Sequence, residues 1–396
     1  MKYRNDKYGN KLSVLGFGCM RFPSTLGKSN MKETEKLILT AVEKGINYFD
    51  TAYIYGDSEK VLGEILNKNN LREKIYIATK LPFTFRTKKE DFDKCLNMQL
   101  ERLKTNYIDY YLIHMLTDYD MWLRLVDLGI EDWIKEKKKE GKIKQIGFSY
   151  HGSQYDFIKI LDAYDWEFCQ IQYNYMNENY QAGKIGLHKA HEKGLPVVIM
   201  EPLLGGKLAT KLPKKAIAEF QRANDKISPV AWALKWLWNQ KEVTLLLSGM
   251  NHMDQLIENT HLASESEINM LSEDELGTVN NVVKIFNEAY KIPCTECNYC
   301  MPCPHNVNIP AAFNSYNTCF AMGRIEGIKQ YIMSVGIISD KDTRLINCKK
   351  CGLCEKKCPQ NIEIIKKLSL SGKRLEHFIV RFIFWVTKTF VKKKKE

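Results

Sequence analysis

The sequence FDTAYIYG at residues 49–56 decides how the chain is expected to fold, because it places two ionisable side chains directly after an apolar, strand-like run. Asp50 stands at the end of that run, and Tyr55 follows before the next amphipathic segment. Lys80 ends the following strand-like run and His114 ends the one after it. In a parallel barrel the carboxyl ends of the strands meet on one face, and that face carries the chemistry. The sequence therefore predicts that these four side chains lie together at the mouth of a barrel.

Strand-like and helix-like segments alternate on both sides of this stretch. After a predicted short hairpin at residues 3–15, the apolar, β-rich runs cover residues 14–19, 46–51, 75–81, 108–114, 144–149, 168–174, 196–202 and 243–248. Eight strands alternating with helices over about 250 residues predict a (β/α)₈ barrel, or TIM barrel, of the α/β class. An open doubly wound sheet would also suit the alternation. The count of eight favours the barrel, as does the lack of a GxGxxG motif after the first strand.

The chain of 396 residues is long enough for one large domain and one small one. The composition shifts at Pro293, after a further amphipathic segment at residues 266–290. We therefore predict a barrel domain over residues 1–285, a small and mainly α-helical domain over residues 286–370, and a basic amphipathic tail over residues 371–396.

The positive charge of the chain is concentrated near its end. The formal net charge is +12, and residues 371–396 hold eight Lys or Arg and two Glu, a net of +6. A diffuse nucleic-acid-binding surface is therefore not indicated, whereas a basic tail is. No apolar run reaches the roughly 18 residues of a membrane span, and residues 1–6 have no apolar core of a signal peptide. We expect a cytoplasmic protein.

The four predicted mouth residues suit proton transfer to a carbonyl oxygen. An unperturbed Tyr has a pKa near 10, and a neighbouring ammonium lowers that pKa. Lys80 would be this ammonium for Tyr55, with Asp50 as its counter-ion, and His114 would donate a hydrogen bond to the substrate oxygen. A carbonyl that gains a proton on oxygen needs a hydride on carbon, which implies a nicotinamide cofactor. Taken singly, each residue is equally compatible with a structural role at a strand end.

Taken together, the motifs resemble the aldo-keto reductases over roughly residues 1–285. The matching motifs, in chain order, are GFG at 16–18, DTAYIYG at 50–56, ATK at 78–80, IDYYLIH at 108–114 and IGFS at 146–149. The resemblance implies a barrel that reduces carbonyl compounds with NADPH. It also implies that Tyr55 is the proton donor, that Lys80 and Asp50 tune it, and that His114 orients the carbonyl.

The resemblance assigns cofactor contacts as well. Ser149 and Gln170 match the pair that holds the nicotinamide carboxamide, although Tyr150 replaces the usual Asn. Met200 stands where an aromatic residue commonly stacks on the nicotinamide, and a Met can also pack against a flat ring. The remaining implied contacts are Gly18 of the first motif, Leu203, Gly205 and Lys207 of a pyrophosphate loop, and Gln255, Glu258 and Asn259 at the adenine end.

The sequence does not decide whether the cofactor is NADPH or NADH. The basic residues that often hold the 2′-phosphate in this family are replaced by Gly249, Met250 and Gln255. Lys207 and Arg222 are the candidates to replace them.

The cysteines point to a second kind of chemistry. Nine of the 12 fall between residues 294 and 358. Eight of these nine form the runs CTECNYCMPCP at 294–304 and CKKCGLCEKKCP at 348–359, and the second run has the spacing of bacterial ferredoxins. Zinc is the alternative, since paired CxxC also suits Zn²⁺. Two runs that each end in Cys-Pro favour two [4Fe–4S] clusters.

In two-cluster ferredoxins the fourth cysteine of each run ligates the other cluster. This predicts one ligand set of Cys294, Cys297, Cys300 and Cys358. It predicts a second set of Cys348, Cys351, Cys354 and Cys303. Cys319 falls outside both spacings and reads as a small buried apolar residue. The helical stretch between the runs makes this part resemble an α-helical two-cluster ferredoxin.

The tail combines aromatic residues with basic residues that recur every seven positions, at Arg374, Arg381, Lys388 and Lys395. Such a helix could lie on an anionic membrane surface, or it could pack against protein.

The sequence as a whole predicts a nicotinamide-dependent reductase of a small carbonyl substrate, with a separate redox protein as a partner for the clusters. The alternative is a redox-sensing or docking protein whose barrel binds nicotinamide with little turnover.

Overall fold

A computed structural model describes residues 1–25, 28–85, 87–294, 296, 299–335, 342–358, 360–378, 380–382 and 384. The chain divides into two compact units. The first comprises Met1–Tyr175, Gln181–Gly205 and Val230–Glu273, and the second comprises Met176–Tyr180, Gly206–Pro229 and Asp274–Glu396. The predicted domain limits at residues 285 and 370 stay predictions.

The first unit contains a closed barrel of eight parallel strands. A hairpin of two antiparallel strands, β1 (Tyr3–Asn5) and β2 (Lys11–Ser13), precedes it, and two short strands, β4 (Ser24–Thr25) and β5 (Lys28–Ser29), pair beside it. The barrel strands are β3 (Leu15–Gly18), β6 (Tyr48–Asp50), β7 (Tyr76–Leu81), β8 (Ile108–Leu116), β9 (Ile143–Tyr150), β10 (Phe168–Gln172), β11 (Val197–Met200) and β12 (Leu245–Ser248). Each strand pairs with the next in sequence, and β12 closes on β3. The predicted barrel is thus confirmed.

Helices follow the strands and continue into the second unit. They are α1 (Met31–Glu43), α2 (Ser58–Lys68), α3 (Glu90–Leu103), α4 (Tyr119–Asp127), α5 (Ile130–Lys139), α6 (Gln154–Ala163), α7 (Gly183–Glu192), α8 (Lys207–Thr210), α9 (Lys214–Ala223), α10 (Pro229–Trp238), α11 (Met253–Ser264), α12 (Glu273–Glu288), α13 (Ile309–Ala321), α14 (Arg324–Ser334), α15 (Leu353–Lys356) and α16 (Ile364–Leu375). Side chains of Asn30, Asp118 and Ser153 accept backbone N–H bonds at the starts of α1, α4 and α6. Such caps fix where each helix begins, because the first N–H groups have no partner within the helix.

The barrel interior is filled with apolar and aromatic side chains, so it is a packed core rather than a pore. Tyr48 and Tyr110 are both almost fully buried, with their ring centroids 5.0 Å apart, and the ring of Phe168 lies 5.2 Å from that of Tyr110. Leu12 of the hairpin belongs to the same cluster. Apolar side chains therefore fill the barrel interior, and the polar residues lie at the carboxyl ends of the strands.

The second unit has a hydrophobic core of its own. Its most buried members include Ile309 and Phe313 of α13, Tyr331 of α14 and Leu368 of α16. Among the described residues, six cysteines border this core, namely Cys294, Cys300, Cys303, Cys348, Cys354 and Cys358. Within the described ranges no helix is long and apolar enough to cross a membrane.

The start of the predicted tail is partly packed. Helix α16 runs through position 371, and beyond it Val380 and Phe384 are buried in the core of the second unit. Arg344 lies 4.6 Å from the centroid of the Phe384 ring. Phe378 is 70% exposed. Residues 379, 383 and 385–396, including Lys388 and Lys395, lie outside the described residues, so membrane contact stays a prediction.

Candidate active site

The strand register brings the predicted mouth residues side by side. Asp50 ends β6 opposite Gly18 of β3 on one side and Ala78 of β7 on the other. Lys80 lies two residues beyond Ala78 on β7. His114 lies near the end of β8. All of these positions are at the carboxyl end of the barrel, as the sequence predicts.

Lys80 is the centre of the group. Its Nζ atom lies 2.6 Å from Asp50 Oδ1 and donates to the carbonyl oxygen of Thr51 at 2.8 Å. The same Nζ atom lies 3.4 Å from the Tyr55 hydroxyl. The Lys80 side chain is 1% exposed and that of Asp50 is 5% exposed. A buried ammonium is therefore held between a carboxylate and a phenol.

His114 completes the group from the next strand. Its imidazole ring lies 6.1 Å from the Tyr55 ring, centroid to centroid, with the two planes nearly perpendicular. The β8–β9 pairing is irregular between Ile113 and Leu116, and Met115 has a φ of 55°. A bulge of this kind re-aims side chains at the end of a barrel strand. The structure thus brings all four predicted residues together.

Burial sets the protonation of Tyr55. Desolvation raises the pKa of the phenol above 10.0, Lys80 opposes this rise, and Asp50 adds to it. Lys80 lowers this pKa, as the sequence predicts, but the loss of hydration outweighs the ammonium and the net shift is upward. A raised pKa keeps the Tyr55 hydroxyl protonated at neutral pH, which is the state a proton donor requires.

The ion pair shows the same competition. Burial raises the pKa of Asp50, whereas Lys80 and the Gln170 amide act to lower it. Burial alone would lower the pKa of Lys80, but the charges of Asp50 and Tyr55 outweigh it and raise that pKa. Lys80 is therefore an ammonium across the neutral range.

The loop that carries Tyr55 is anchored by polar contacts that the sequence does not reveal. The hydroxyls of Thr51 and Ser58 lie 2.8 Å apart, and Ser58 Oγ donates to the carbonyl oxygen of Cys19 at 2.9 Å. The N–H of Tyr55 donates to the carbonyl oxygen of Ala52 at 3.0 Å. These bonds fix a short loop between β6 and α2, and so fix where the phenol points.

Ser149 and Gln170 are directly paired neighbours on β9 and β10. Ser149 Oγ accepts the N–H of Met115 at 2.8 Å. Gln170 Oε1 is buried and has no hydrogen-bond partner among the described residues. A buried acceptor without a partner is costly unless something supplies a donor. A primary carboxamide, such as that of nicotinamide, has both the donor for Gln170 and the acceptor for a Ser149 hydroxyl, so the two residues fit this group.

The loop after β11 is tight and glycine-rich. Met200 ends β11 and Leu203 is partly buried. Glu201, Leu204 and Gly205 all have a positive φ, at 54°, 49° and 68°. Gly205 is exposed, so its backbone is open to a ligand.

The residues predicted for the adenine end lie on one helix, whereas Gly18 ends strand β3. Gln255, Glu258 and Asn259 share one face of α11, where i, i+3 and i+4 positions are neighbours. Gln255 and Glu258 are exposed, whereas Asn259 is buried and donates to Ser248 Oγ at 3.1 Å.

Lys207 and Arg222 both lie in the second unit, where each is ion-paired. Lys207 Nζ lies 3.1 Å from Glu326 Oε2, and Arg222 Nη2 lies 2.8 Å from Glu219 Oε1. Both cations that the sequence analysis proposed for a 2′-phosphate are therefore already paired with a carboxylate.

His151 is a mouth residue that the sequence reading missed. It follows β9 by one residue, is half-buried, and its backbone N–H donates to the carbonyl oxygen of Leu116 at 2.9 Å. Burial lowers the pKa of its imidazole to about 4, with Gln181 opposing this shift and Lys80 adding to it. The sequence did hold a signal for this residue, because His151 lies just past the end of a predicted strand.

The two cysteine runs share one backbone design. The sequences CPHNVNI at 303–309 and CPQNIEI at 358–364 correspond position by position. Asn306 and Asn361 have φ values of 57° and 50°, and their N–H groups donate to the carbonyl oxygens of Cys303 and Cys358 at 3.0 and 3.1 Å. Helices α13 and α16 begin at the last residue of each repeat. The second unit is therefore built from a duplicated motif.

The positions of the cysteines bear on whether the second unit can hold a metal. Cys303 and Cys354 lie in different runs, and both pack against the hydrophobic core of the second unit. In the described part of the chain, no group of three or more His, Cys, Asp or Glu side chains is arranged to hold a metal ion. Cys297 is outside the described residues. Cys319 is 4% exposed and packs in the core, as expected for a small apolar residue.

Comparisons with known proteins identify the family of the chain. The model of the aldo/keto reductase family matches residues 14–284. L-galactose dehydrogenase of Arabidopsis thaliana is 27% identical over 306 residues, which are 70% of this chain and 92% of that protein. The aldo-keto reductase yakc [NADP(+)] of Schizosaccharomyces pombe is 23% identical over 299 residues, covering 65% and 86%.

A solved structure has the same fold. The aldo-keto reductase AKR11C1 from Bacillus halodurans, in its holo form, aligns with a TM-score of 0.60 at 24% identity, covering 71% of this chain and 96% of that one. The chain therefore belongs to the aldo/keto reductase family and is an NAD(P)H-dependent oxidoreductase of that type.

Proposed function

We propose that the barrel reduces a small aldehyde or ketone, with Tyr55 as the proton donor to the carbonyl oxygen. The observation that carries this proposal is the buried contact of Lys80 Nζ with both Asp50 and Tyr55. The bound nicotinamide supplies the hydride. The Tyr55 hydroxyl gives its proton to the oxygen, and the Lys80 ammonium stabilises the phenolate that remains. His114 holds the carbonyl oxygen beside Tyr55.

Ser149 and Gln170 would fix the orientation of the nicotinamide ring. The buried Gln170 Oε1 would accept from the carboxamide nitrogen, and the Ser149 hydroxyl would donate to its oxygen. Met200 would pack against the ring, and the loop of Leu203 and Gly205 would hold the pyrophosphate. The printed name of the Schizosaccharomyces pombe relative includes NADP(+), which supports NADPH for this chain.

Isotope transfer tests this proposal. The protein is incubated with NADPH that carries deuterium at both hydrogen positions of C4 of the nicotinamide, and with a panel of aldehydes and ketones. The alcohol formed should carry deuterium on the former carbonyl carbon, because that carbon receives the hydride. Bound cofactor with no labelled alcohol from any carbonyl would instead support the redox-sensing alternative.

We also propose that the duplicated cysteine motif of the second unit binds two [4Fe–4S] clusters. The CxxCxxC spacings, the matching backbone at Asn306 and Asn361, and the packing of Cys303 and Cys354 against the same core support it. Cys303 from the first run would join Cys348, Cys351 and Cys354, and Cys358 would join the first three cysteines. Because a hydride carries two electrons and a cluster exchanges one at a time, a separate redox protein would be the clusters' partner.

Iron and sulfide analysis tests the cluster proposal. Protein purified without oxygen should contain about eight iron and eight sulfide per chain and show the broad visible absorption of [4Fe–4S] clusters. Cys348→Ser should lose about half of the iron, whereas Cys319→Ser, which alters a cysteine outside both runs, should keep it. Zinc in place of iron, or equal iron in the two variants, would contradict the assignment.

A further inference from the structure

The segment that follows α16 has one face in the core of the second unit and another face in solvent. Val380 and Phe384, four residues apart, are 3% and 1% exposed and belong to that core. Phe378 and Phe382, also four residues apart, are 70% and 60% exposed. The backbone is helical at all four positions, and residues four apart on a helix share a face. Packing of one face therefore leaves two phenylalanine rings in solvent on the other.

The exposed charges beside these rings are positive. Lys373 in the last turn of α16 and Arg381, which lies between the two phenylalanines in sequence, are both exposed. Among the described residues neither side chain pairs with a carboxylate. From residue 364 to residue 395 the chain has ten Lys or Arg and a single acidic residue, Glu376. That carboxylate is buried and accepts from the hydroxyl of Tyr331, so it does not neutralise the exposed cations.

This combination of side chains matches the chemistry of an anionic lipid surface. Aromatic rings enter the boundary between headgroups and acyl chains, while Lys and Arg attract the anionic lipids. Transfer of an exposed ring from water into that boundary is favourable because it removes apolar surface from water. A second copy of the chain fits less well. In a symmetric dimer the surface would meet itself, and the same cations would repel each other.

We propose that the exposed face of this segment, formed by Phe378, Phe382, Lys373 and Arg381, binds an anionic membrane surface. The contact is peripheral, because the opposite face of the segment is packed in the core of the second unit. Membrane binding does not depend on the proposed carbonyl reduction or on cluster binding, so it can be measured apart from both.

Vesicle co-sedimentation of the full chain tests the proposal. One kind of vesicle contains phosphatidylcholine alone, and the other contains phosphatidylcholine and phosphatidylserine in equal parts. The wild type is compared with two double variants, Phe378→Ser with Phe382→Ser, and Lys373→Gln with Arg381→Gln. Both double variants leave residues 385–396 unchanged, so any loss of binding is due to the face described above.

A control variant separates this face from general surface hydrophobicity. Ile325→Ser removes an apolar side chain of α14 in the same unit that is 68% exposed, an exposure close to that of Phe378. Thermal unfolding of each variant confirms that it is folded. The control should bind vesicles as the wild type does.

The wild type should sediment with phosphatidylserine vesicles at low salt and stay in solution with phosphatidylcholine alone. The bound fraction should fall as salt is added, because salt screens the attraction. Loss of both phenylalanines should weaken binding by roughly tenfold, since two rings no longer enter the lipid. Loss of both cations should weaken it by about thirtyfold, the size expected for two charges near an anionic surface.

A wild type that stays in solution with both kinds of vesicle would overturn the proposal. Binding of the phenylalanine variant as tight as that of the wild type, or an equal loss in the Ile325 control, would overturn it as well. Analytical ultracentrifugation tests the remaining occupant. A dimer that the phenylalanine variant converts into a monomer, with no vesicle binding, would assign this face to a second copy of the chain instead.

Discussion

Lys80 carries a charge that the barrel interior tolerates because Asp50 lies 2.6 Å away. Transfer of either ion alone from water into this site would be unfavourable, and the pair is stable only with its remaining donors and acceptors satisfied. Lys80 meets that need through Asp50, Thr51 and Tyr55. The pair therefore acts on stability and on the phenol at once.

Lys80→Met should lower the free energy of unfolding by about 3–5 kcal/mol, because it leaves the Asp50 carboxylate buried without its partner. Urea unfolding measures the change. The double variant Asp50→Asn with Lys80→Met should recover part of the loss, and Lys36→Met on the exposed face of α1 should be neutral. A single variant as stable as the Lys36 control would show that the pair is not a structural element.

His151 should make the fold sensitive to acid. Its pKa falls from 6.5 to about 4 on folding, so the folded state resists a proton that the unfolded chain accepts. Stability is therefore full above the unfolded pKa and is lost as the pH drops from about 6.5 towards 4, by up to about 3 kcal/mol. His151→Gln should flatten this part of the curve, as measured by urea unfolding at several pH values. An identical slope in both proteins would contradict the assignment.

At the scale of single residues, the sequence alone predicted that Asp50, Tyr55, Lys80 and His114 lie together, because each ends or follows a recognisable strand. His151 was missed for a physical reason. Its place at the barrel mouth depends on a neighbour more than 30 residues away in sequence, Leu116, and local periodicity does not encode such a neighbour. Likewise the net pKa of Tyr55 depends on burial, which no local pattern measures.

At the scale of elements, the strands were predictable because buried parallel strands read as continuous apolar runs. Polar residues within helices were less predictable. Glu59 and Glu64 are both on α2, yet Glu59 is 1% exposed and Glu64 is exposed. Glu59 accepts from Thr79 at 2.7 Å and from Gln99 at 2.9 Å, and Gln99 in turn donates to the carbonyl oxygen of Lys80. This network braces the strand that carries Lys80.

Gly63 sets the distance between α2 and α3. A Cβ atom at Gly63 would lie 2.3 Å from the carbonyl oxygen of Arg102, which is backbone and cannot swing aside. Gly63→Ala should therefore lower the melting temperature, by several degrees for a loss of about 2 kcal/mol. Gly277→Ala in α12, with nothing within 4 Å of its Cβ position, should be neutral or slightly stabilising. Equal melting temperatures for the two variants would contradict this close crossing.

At the scale of the whole molecule, the chain forms two units, and each has a hydrophobic core of its own. The family match at residues 14–284 accounts for the barrel. The second unit contributes a duplicated cysteine motif, together with the pair that Lys207 makes with Glu326. The barrel could be predicted from the sequence because its strands recur in order. The make-up of the second unit could not, because residues 206–229 join it from within the barrel sequence.

The central claim is that Tyr55 gives the proton during carbonyl reduction. The measurement that tests it most directly compares Tyr55→Phe with Tyr53→Phe, for NADPH affinity and for the rate of alcohol formation. Tyr53 lies in the same loop, and its ring packs against Phe85 at 5.0 Å, a contact that Phe preserves. Tyr55→Phe should bind NADPH as the wild type does and reduce carbonyls about 10²–10⁴-fold more slowly, while Tyr53→Phe stays active. A Tyr55→Phe variant that reduces carbonyls at the wild-type rate would contradict the account.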